Sequence, residues 1–275
     1  MNDHAGSGLP TAGASRGSQD RRRAPLPTRV DDLPVLPPEY DAALDRGLAE
    51  LGLSLGPEAL EALATQARLL LAWNASINLT SITDPALVAV RHVVDSLAAV
   101  PMLARRRPGL RIGDIGSGAG YPGLPLAVAL SDSRVVLVES TGKKARFLEA
   151  AVGAVGLEHR VTVMASRAEA VAVAVRDRSV EPFDVVTARA VGDLADLVEL
   201  AFPLLRIGGA LMAWKRGDIA AEVATATRAI EALGGGRREG HEIVVTGLEG
   251  HLIVVVEKVR ATPPGFPRDP ARRRW

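Results

Sequence analysis

From Glu39 the apolar positions of the chain recur at helical spacing. In "EYDAALDRGLAEL" the side chains of Tyr40, Leu44, Leu48 and Leu51 fall on one stripe. Pro57 stands at a first-turn position, where proline is tolerated, and opens a second helix through "EALEALATQARLLLAWN". Asp84 followed by Pro85 forms an N-cap and N1 pair for a third, "ALVAVRHVVDSLAAV". Residues 39–106 therefore read as an N-terminal helical extension. At Arg111 the pattern changes to short β-branched runs: Arg111–Ile115, Val135–Glu139, Val161–Met164, Asp184–Thr187, Ala210–Trp214, Glu242–Val245 and Leu252–Val256. Helical stretches separate the first six, and this alternation predicts an α/β fold over residues 107–260, a seven-stranded, mostly parallel sheet with helices on both faces. "TGLEG" joins the last two runs as a hairpin-like link, so one end of the sheet is expected to be antiparallel.

The flanks lack such periodicity. Residues 1–38 are rich in Pro, Gly, Ser, Arg and Asp and read as a disordered tail, in which Arg21, Arg22 and Arg23 could touch phosphate. Residues 261–275 read as a basic tail; Arg260 to Trp275 hold five Arg and one Asp, a run whose ordinary explanation is solvation.

Composition narrows the chemistry. Apolar runs break at charge, Gly or Pro before reaching the length of a membrane span, and the first residues lack the order of a secretory signal, so the chain reads as soluble and cytoplasmic. The absence of cysteine removes disulfides, thiolate metal sites and a Cys nucleophile. Five widely spaced His give no metal pair. A net charge of +1 announces no nucleic-acid partner, and 3% aromatics leave little for a broad stacking platform.

The candidate chemistry begins at "RIGDIGSGAGYPGLPLAVAL", where the first strand meets Gly116, Gly118, Gly120 and Gly123. A doubly wound sheet binds ligands at this point. A P-loop fails, because Leu124 stands where its Lys belongs; a nucleophile elbow fails, because Ile115 and Ala119 flank Ser117 at its glycine positions. A dinucleotide fingerprint fails at Tyr121. What remains, Asp114-x-Gly116-x-Gly118-x-Gly120, resembles motif I of S-adenosylmethionine-dependent methyltransferases. Alternating glycines let backbone approach a bulky nucleoside, and Asp114 is expected to face the ligand's amino acid end. Glu139, twenty-three residues after Gly116 at the tip of the second strand, can accept both ribose hydroxyls. Glu169 in "SRAEAV" can reach an adenine amino group or can simply cap its own helix.

The end of strand four narrows the acceptor. Exocyclic amine methylases carry Asn/Asp-Pro-Pro-aromatic there, whereas this chain has Thr187, Ala188, Arg189 and Ala190. Without cysteine, pyrimidine C5 is also unsuitable. A ring nitrogen with a free lone pair, such as guanine N7, needs no base, and none stands at this strand end.

Beyond motif I, the chain resembles the RsmG (GidB) family, bacterial 16S rRNA (guanine-527 N7)-methyltransferases, through nearly all of residues 40–270. The stretches that carry the likeness are "WNASINLTSITDP", "RHVVDSLA", "DIGSGAGYPGLPLA", "KKARFL", "RAE", "FDVVTARAV" and "LMAWKRG", in the family's order. The resemblance implies a class I, Rossmann-like methyltransferase whose cofactor is S-adenosylmethionine, acting on 16S rRNA or the small ribosomal subunit; the chain is expected to use no metal and to be a monomer. It implies that Gly116, Tyr121, Ala168, Glu169 and Arg189 line the cofactor site, with Gly118 and Glu139 fitting the general pattern, and that Lys215 and Arg216 face RNA. His92, Asp95 and Ser96, at i, i+3 and i+4, are expected to clamp their helix to Asn78 and Thr80 rather than to catalyse. A small-molecule methyltransferase on the same core and a non-catalytic nucleoside-binding module in ribosome assembly are the competing readings.

Overall fold

The computed structural model describes residues 26–273 and 275. Three helical stretches precede the sheet's first strand. Helix α1 (Pro38–Glu50) and helix α2 (Pro57–Ile77) each open on their proline. The third stretch starts at α3 (Pro85–Val88), where the Asp84 carboxylate accepts the Leu87 N–H at 2.9 Å as the predicted cap. It continues through a π-helical turn (Ala89–Val94), α4 (Asp95–Leu97) and α5 (Val100–Leu103). Gly47 of α1 lies against that turn so closely that a Cβ would sit 2.5 Å from Val94 Cγ2. Pro85–Leu103 is long and apolar enough, by length and composition, to cross a membrane, which exceeds the run lengths expected from the sequence; most of its apolar window is buried inside the molecule.

Alternation then builds β1 (Arg111–Ile115), α6 (Gly123–Ala129), β2 (Arg134–Val138), α7 (Gly142–Ala154), β3 (Val161–Met164) and α8 (Ala168–Arg176). The second half is β4 (Phe183–Arg189), α9 (Leu194–Ala201), β5 (Leu205–Arg216), α10 (Ala220–Ala232), β6 (Gly235–Glu242) and β7 (His251–Lys258). The seven strands run in the order β3-β2-β1-β4-β5-β7-β6, parallel except for β7, which is antiparallel to both β5 and β6. Successive side chains of one strand serve opposite layers. In β7, Ile253 and Val255 enter the core shared with α1–α7, while Val254 and Val256 enter the core under α8–α10. The helical extension thus thickens one face of a three-layer sandwich.

Three sequence expectations change. The sixth strand is Gly235–Glu242, not Glu242–Val245. Its "GGRREGHE" pairs only with β7 and stays largely exposed, so it carries no apolar signal; Ile243 and Val245 are buried beyond its end. The expected disordered tail, with Arg21 to Arg23, falls outside the described residues up to position 25, but residues 26–37 are tied down. Trp73 Nε1 donates to the Pro27 carbonyl at 2.6 Å, and Arg68 Nη2 to that of Val30 at 2.8 Å, while Leu33 and Leu36 pack on the core. The basic C-terminal run is docked on α9 rather than solvated: Arg268 donates through Nη2 to the buried Glu199 at 2.6 Å.

Candidate active site

After Ile115 the chain turns through Gly116, Gly118 and Gly120, all at positive φ (+68°, +56° and +85°). A side chain here meets strain, and at two of the three it also meets atoms. A Cβ at Gly116 would come 2.7 Å from Val191 Cγ2, and one at Gly120 3.0 Å from Gln66 Nε2. At Gly118 the closest atom is the Gly116 carbonyl oxygen, 3.8 Å away, so bare backbone faces open space.

The loop is fastened from two sides. The N–H groups of Gly116 and Ser117 donate to the Val138 carbonyl at 2.8 and 3.1 Å. Glu139, 6% exposed at the end of β2, accepts the Gly118 N–H on Oε2 (3.0 Å) and the Thr141 N–H on Oε1 (2.7 Å). Each carboxylate oxygen keeps acceptor capacity, which is what a vicinal diol requires. From the helical extension, the buried Gln66 of α2 donates Nε2 to the Ala119 carbonyl at 3.1 Å.

Asp114 behaves differently from expectation. It is 1% exposed and turned inward: Oδ1 accepts from Thr187 Oγ1 (2.8 Å) and Oδ2 from the Gly123 N–H (3.3 Å). Burial pushes its carboxyl up from the ordinary 3.8 to about 6, against the pull of those donors. It braces the glycine loop against β4 and α6 instead of facing a ligand.

Two cavities flank the end of β4. One, about 240 Å³, is lined by Gly116, Ser140, Ala168, Glu169 and Arg273 among others. The other, about 460 Å³, is lined by His92, Asp95, Arg189, Trp214, Arg216 and His251 among others. Between them runs the turn after β4, with Ala190 left-handed at φ +57°. Asp95, 1% exposed, organises the second cavity: Oδ2 accepts from Arg189 (3.0 Å), Oδ1 pairs with His251 Nδ1 (2.9 Å), and its carbonyl accepts Trp214 Nε1 (2.8 Å). The Arg189 guanidinium lies 5.5 Å from the centre of the Tyr121 ring, which stacks on His92 at 4.9 Å. Burial first, and the Arg189 charge second, lower His92 to about 4, so its ring is neutral at neutral pH.

The structure brings Gly116, Ala168 and Glu169 to one cavity and bonds Gly118 to Glu139. Tyr121 and Arg189 gather instead beside the second cavity, where Tyr121 is 4% exposed and its buried hydroxyl has no partner among the described residues. Lys215 lines this cavity and is engaged, donating to the Gly192 carbonyl (2.7 Å) and pairing with Glu222 (2.5 Å); Arg216 and Arg91 stand exposed at the rim. The expected clamp exists in altered form. His92 Nε2 is hydrogen-bonded to Thr80 Oγ1 at 2.8 Å, but Asn74 rather than Asn78 holds the loop, accepting the N–H groups of Leu79 and Thr80. Asn78 is the left-handed C-cap of α2, and Asp95 turns to Arg189. Sequence reasoning missed Gln66, His251 and Arg273. Gln66 left a signal, a polar residue within an apolar helical stripe; the other two act across distances of the chain that periodicity does not report. Among the described residues no cluster of three or more His, Cys, Asp or Glu could hold a metal ion.

A sheet of this order, with a glycine turn after β1 and a carboxylate at the tip of β2, defines a class I, Rossmann-like S-adenosylmethionine-dependent methyltransferase fold. The crystal structure of a mutant of MtNAS shares that fold, with a TM-score of 0.50 and 17% identity, over 85% of this chain and 84% of its own. Residues 59–244 match the family model of rRNA small subunit methyltransferase G, GidB. Ribosomal RNA small subunit methyltransferase G of Roseiflexus sp. (strain RS-1) is 44% identical over 81% of this chain and 94% of its own length. The protein of the same name from Clostridium beijerinckii is 36% identical over 83% and 94%. The chain belongs to the rRNA small subunit methyltransferase G family.

Proposed function

We propose that the protein methylates N7 of a guanine, the family's guanine-527, in 16S rRNA, with S-adenosylmethionine as donor and without a metal. The observation that carries the reading is the Gly118–Glu139 pair: open backbone in the left-handed region beside an acceptor-rich carboxylate whose oxygens are already oriented. These residues fit a nucleoside cofactor. Glu139 would hold the ribose hydroxyls, Gly116 and Gly118 would lie against the nucleoside, and Ala168 and Glu169 would meet the adenine in the smaller cavity. Tyr121 and Arg189 would act at its edge toward the larger cavity, as supports of the shared wall. When bound, the cofactor supplies an electrophilic methyl group on sulfonium.

The chain's own residues then have to place the acceptor. Guanine N7 offers a lone pair and loses no proton, so no base is required. This agrees with a His92 that stays neutral and engaged with Thr80. Holding the two reactants near attack distance supplies the acceleration. The larger cavity, walled by Arg189, Trp214 and His251 and rimmed by Arg91 and Arg216, is where a base would enter from an RNA strand. Because N7 lies on the major-groove edge, closed to side chains in A-form duplex, the target is unpaired or looped. The protein works in the cytoplasm as a monomer on this reading, and Lys215 contributes by bracing the turn at Gly192 rather than by touching phosphate.

Mass spectrometry of small-subunit rRNA from cells with and without the protein tests the proposal: the N7-methylated guanine should disappear with the gene. Full methylation in its absence would refute it. Neither competing reading has a structural observation in its favour.

A further inference from the structure

The segment after β7 is anchored by a charge that the proposed reaction does not use. Glu199 of α9 has a carboxylate with 0% exposure. Arg268 gives it a backbone N–H (2.6 Å), Nε (3.1 Å to each oxygen) and Nη2 (2.6 Å), and Trp275 Nε1 adds a fourth donor at 2.9 Å. Burial pushes this carboxyl up, and the donors outweigh it and hold it below the ordinary range. The Arg268 guanidinium lies 4.4 Å from the centre of the Trp275 ring, which stacks on Phe266. A buried carboxylate so covered costs several hydrogen bonds to release, and it fixes where the intervening residues lie. Those residues deliver Arg273: its side chain is 9% exposed and ion-paired with Glu169, and with Pro270 it lines the smaller cavity opposite Gly116 and Ala168.

We infer that the C-terminal segment Phe266–Arg273 is the outer wall of the cofactor cavity, anchored by Glu199, and that Arg273 is a positioning residue that holds the Glu169 carboxylate for the ligand. The inference rests on the reading of that cavity as the adenine end of the S-adenosylmethionine site. Glu169 stands in the first turn of α8, where an unpaired side chain samples several rotamers and loses that freedom on binding. A guanidinium on one side removes most of that loss beforehand, and the carboxylate keeps lone pairs for an exocyclic amine.

The experiment is calorimetric titration of the full-length protein with S-adenosylmethionine, alongside thermal unfolding of the unligated protein. The variants are Arg273→Met, Arg273→Lys, Glu199→Gln and, as reference, Glu139→Gln. Arg273→Met is expected to raise Kd about tenfold, the loss of one charge-assisted contact, with part of the affinity recovered in Arg273→Lys; the unligated unfolding temperature should fall slightly in both, because Arg273 Nε also donates to the Arg268 carbonyl (3.2 Å). Glu199→Gln should release the segment, read as faster tryptic cleavage at its arginines, and weaken binding as well. An Arg273→Met protein that binds as tightly as the parent overturns the inference, as does one that binds more tightly, since the segment would then be a plug. If Glu139→Gln weakens binding and Arg273→Met does not, the wall alone is wrong. If the parent does not bind, both readings fall.

Discussion

Two buried aspartates hold opposite ends of β4, each bridging two basic side chains. At the start of the strand Asp184 meets Arg107 (2.7 Å) and Arg206 and accepts the Arg111 N–H at 2.7 Å. At its end Asp95 meets Arg189 (3.0 Å) and His251 (2.9 Å). Both carboxylates are about equally buried, with side chains 2% exposed. Their partners differ. Arg107 and Arg206 are 56% and 40% exposed and line neither of the two cavities at β4, whereas Arg189 and His251 are 18% exposed each and wall the larger one. A buried ion pair therefore does not by itself mark a functional site. What marks it is the strand's C-terminal end, a cavity, and basic side chains withdrawn from water.

The largest effect should separate the two clamps. Asp184→Ala breaks three contacts of the sheet floor and should lower stability to urea by about 3–5 kcal/mol, while S-adenosylmethionine affinity of the folded protein stays at the parent's value. Next comes pH. Asp184, which burial would raise but its N–H and guanidinium donors lower, contributes stability that persists to acid and is lost only as pH falls through its depressed value. The site end titrates higher. Asp114, raised to about 6, loses stability as pH rises from about 4 to 6, because the folded state there binds the extra proton. His92, lowered to about 4, does the reverse, gaining stability as pH rises from about 4 to 6.5. Each ramp is on the order of 3 kcal/mol, so they nearly cancel in the parent. Unfolding midpoints at pH 4.5 and 6.5 should rise with pH in Asp114→Asn and fall in His92→Gln, relative to the parent; parallel behaviour of the two variants would contradict this opposition.

A smaller effect is expected at the upper clamp. Asp95→Asn keeps one acceptor but leaves Arg189 half-paired, and rRNA methylation should drop about ten- to a hundredfold with a modest loss of stability. Activity equal to the parent's would make this clamp as purely structural as Asp184. Smallest of all, Arg216→Ala should lower the slope of log binding constant against log salt by about one for an RNA loop. Lys215→Ala, whose ammonium is already paired, should leave that slope unchanged.

The sheet was legible because β-branched runs and intervening helical spacing report a buried parallel strand directly; β1 and β3 were placed to the residue. Edge strand β6 was not, because its side chains face water and Arg237, Arg238 and Glu239 look like a loop. The glycine turn and Glu139 were legible since both are local grammar at a known place in the fold. The inward turn of Asp114 was not, for it depends on Thr187, seventy-three residues away. The C-terminal run misled for a related reason: the same arginines read as solvated until a buried glutamate on another helix is seen beneath them.

Gln66 carries one further consequence. A single amide joins α2 to the Ala119 carbonyl, beside Gly120, where positive φ strains any side chain and a Cβ would stand 3.0 Å from Gln66 Nε2. The extension and the glycine turn are thereby tied directly, by a contact that does not cross the sheet. In amide-exchange experiments the two should open together, and truncating Gln66 to alanine should let the turn breathe on its own.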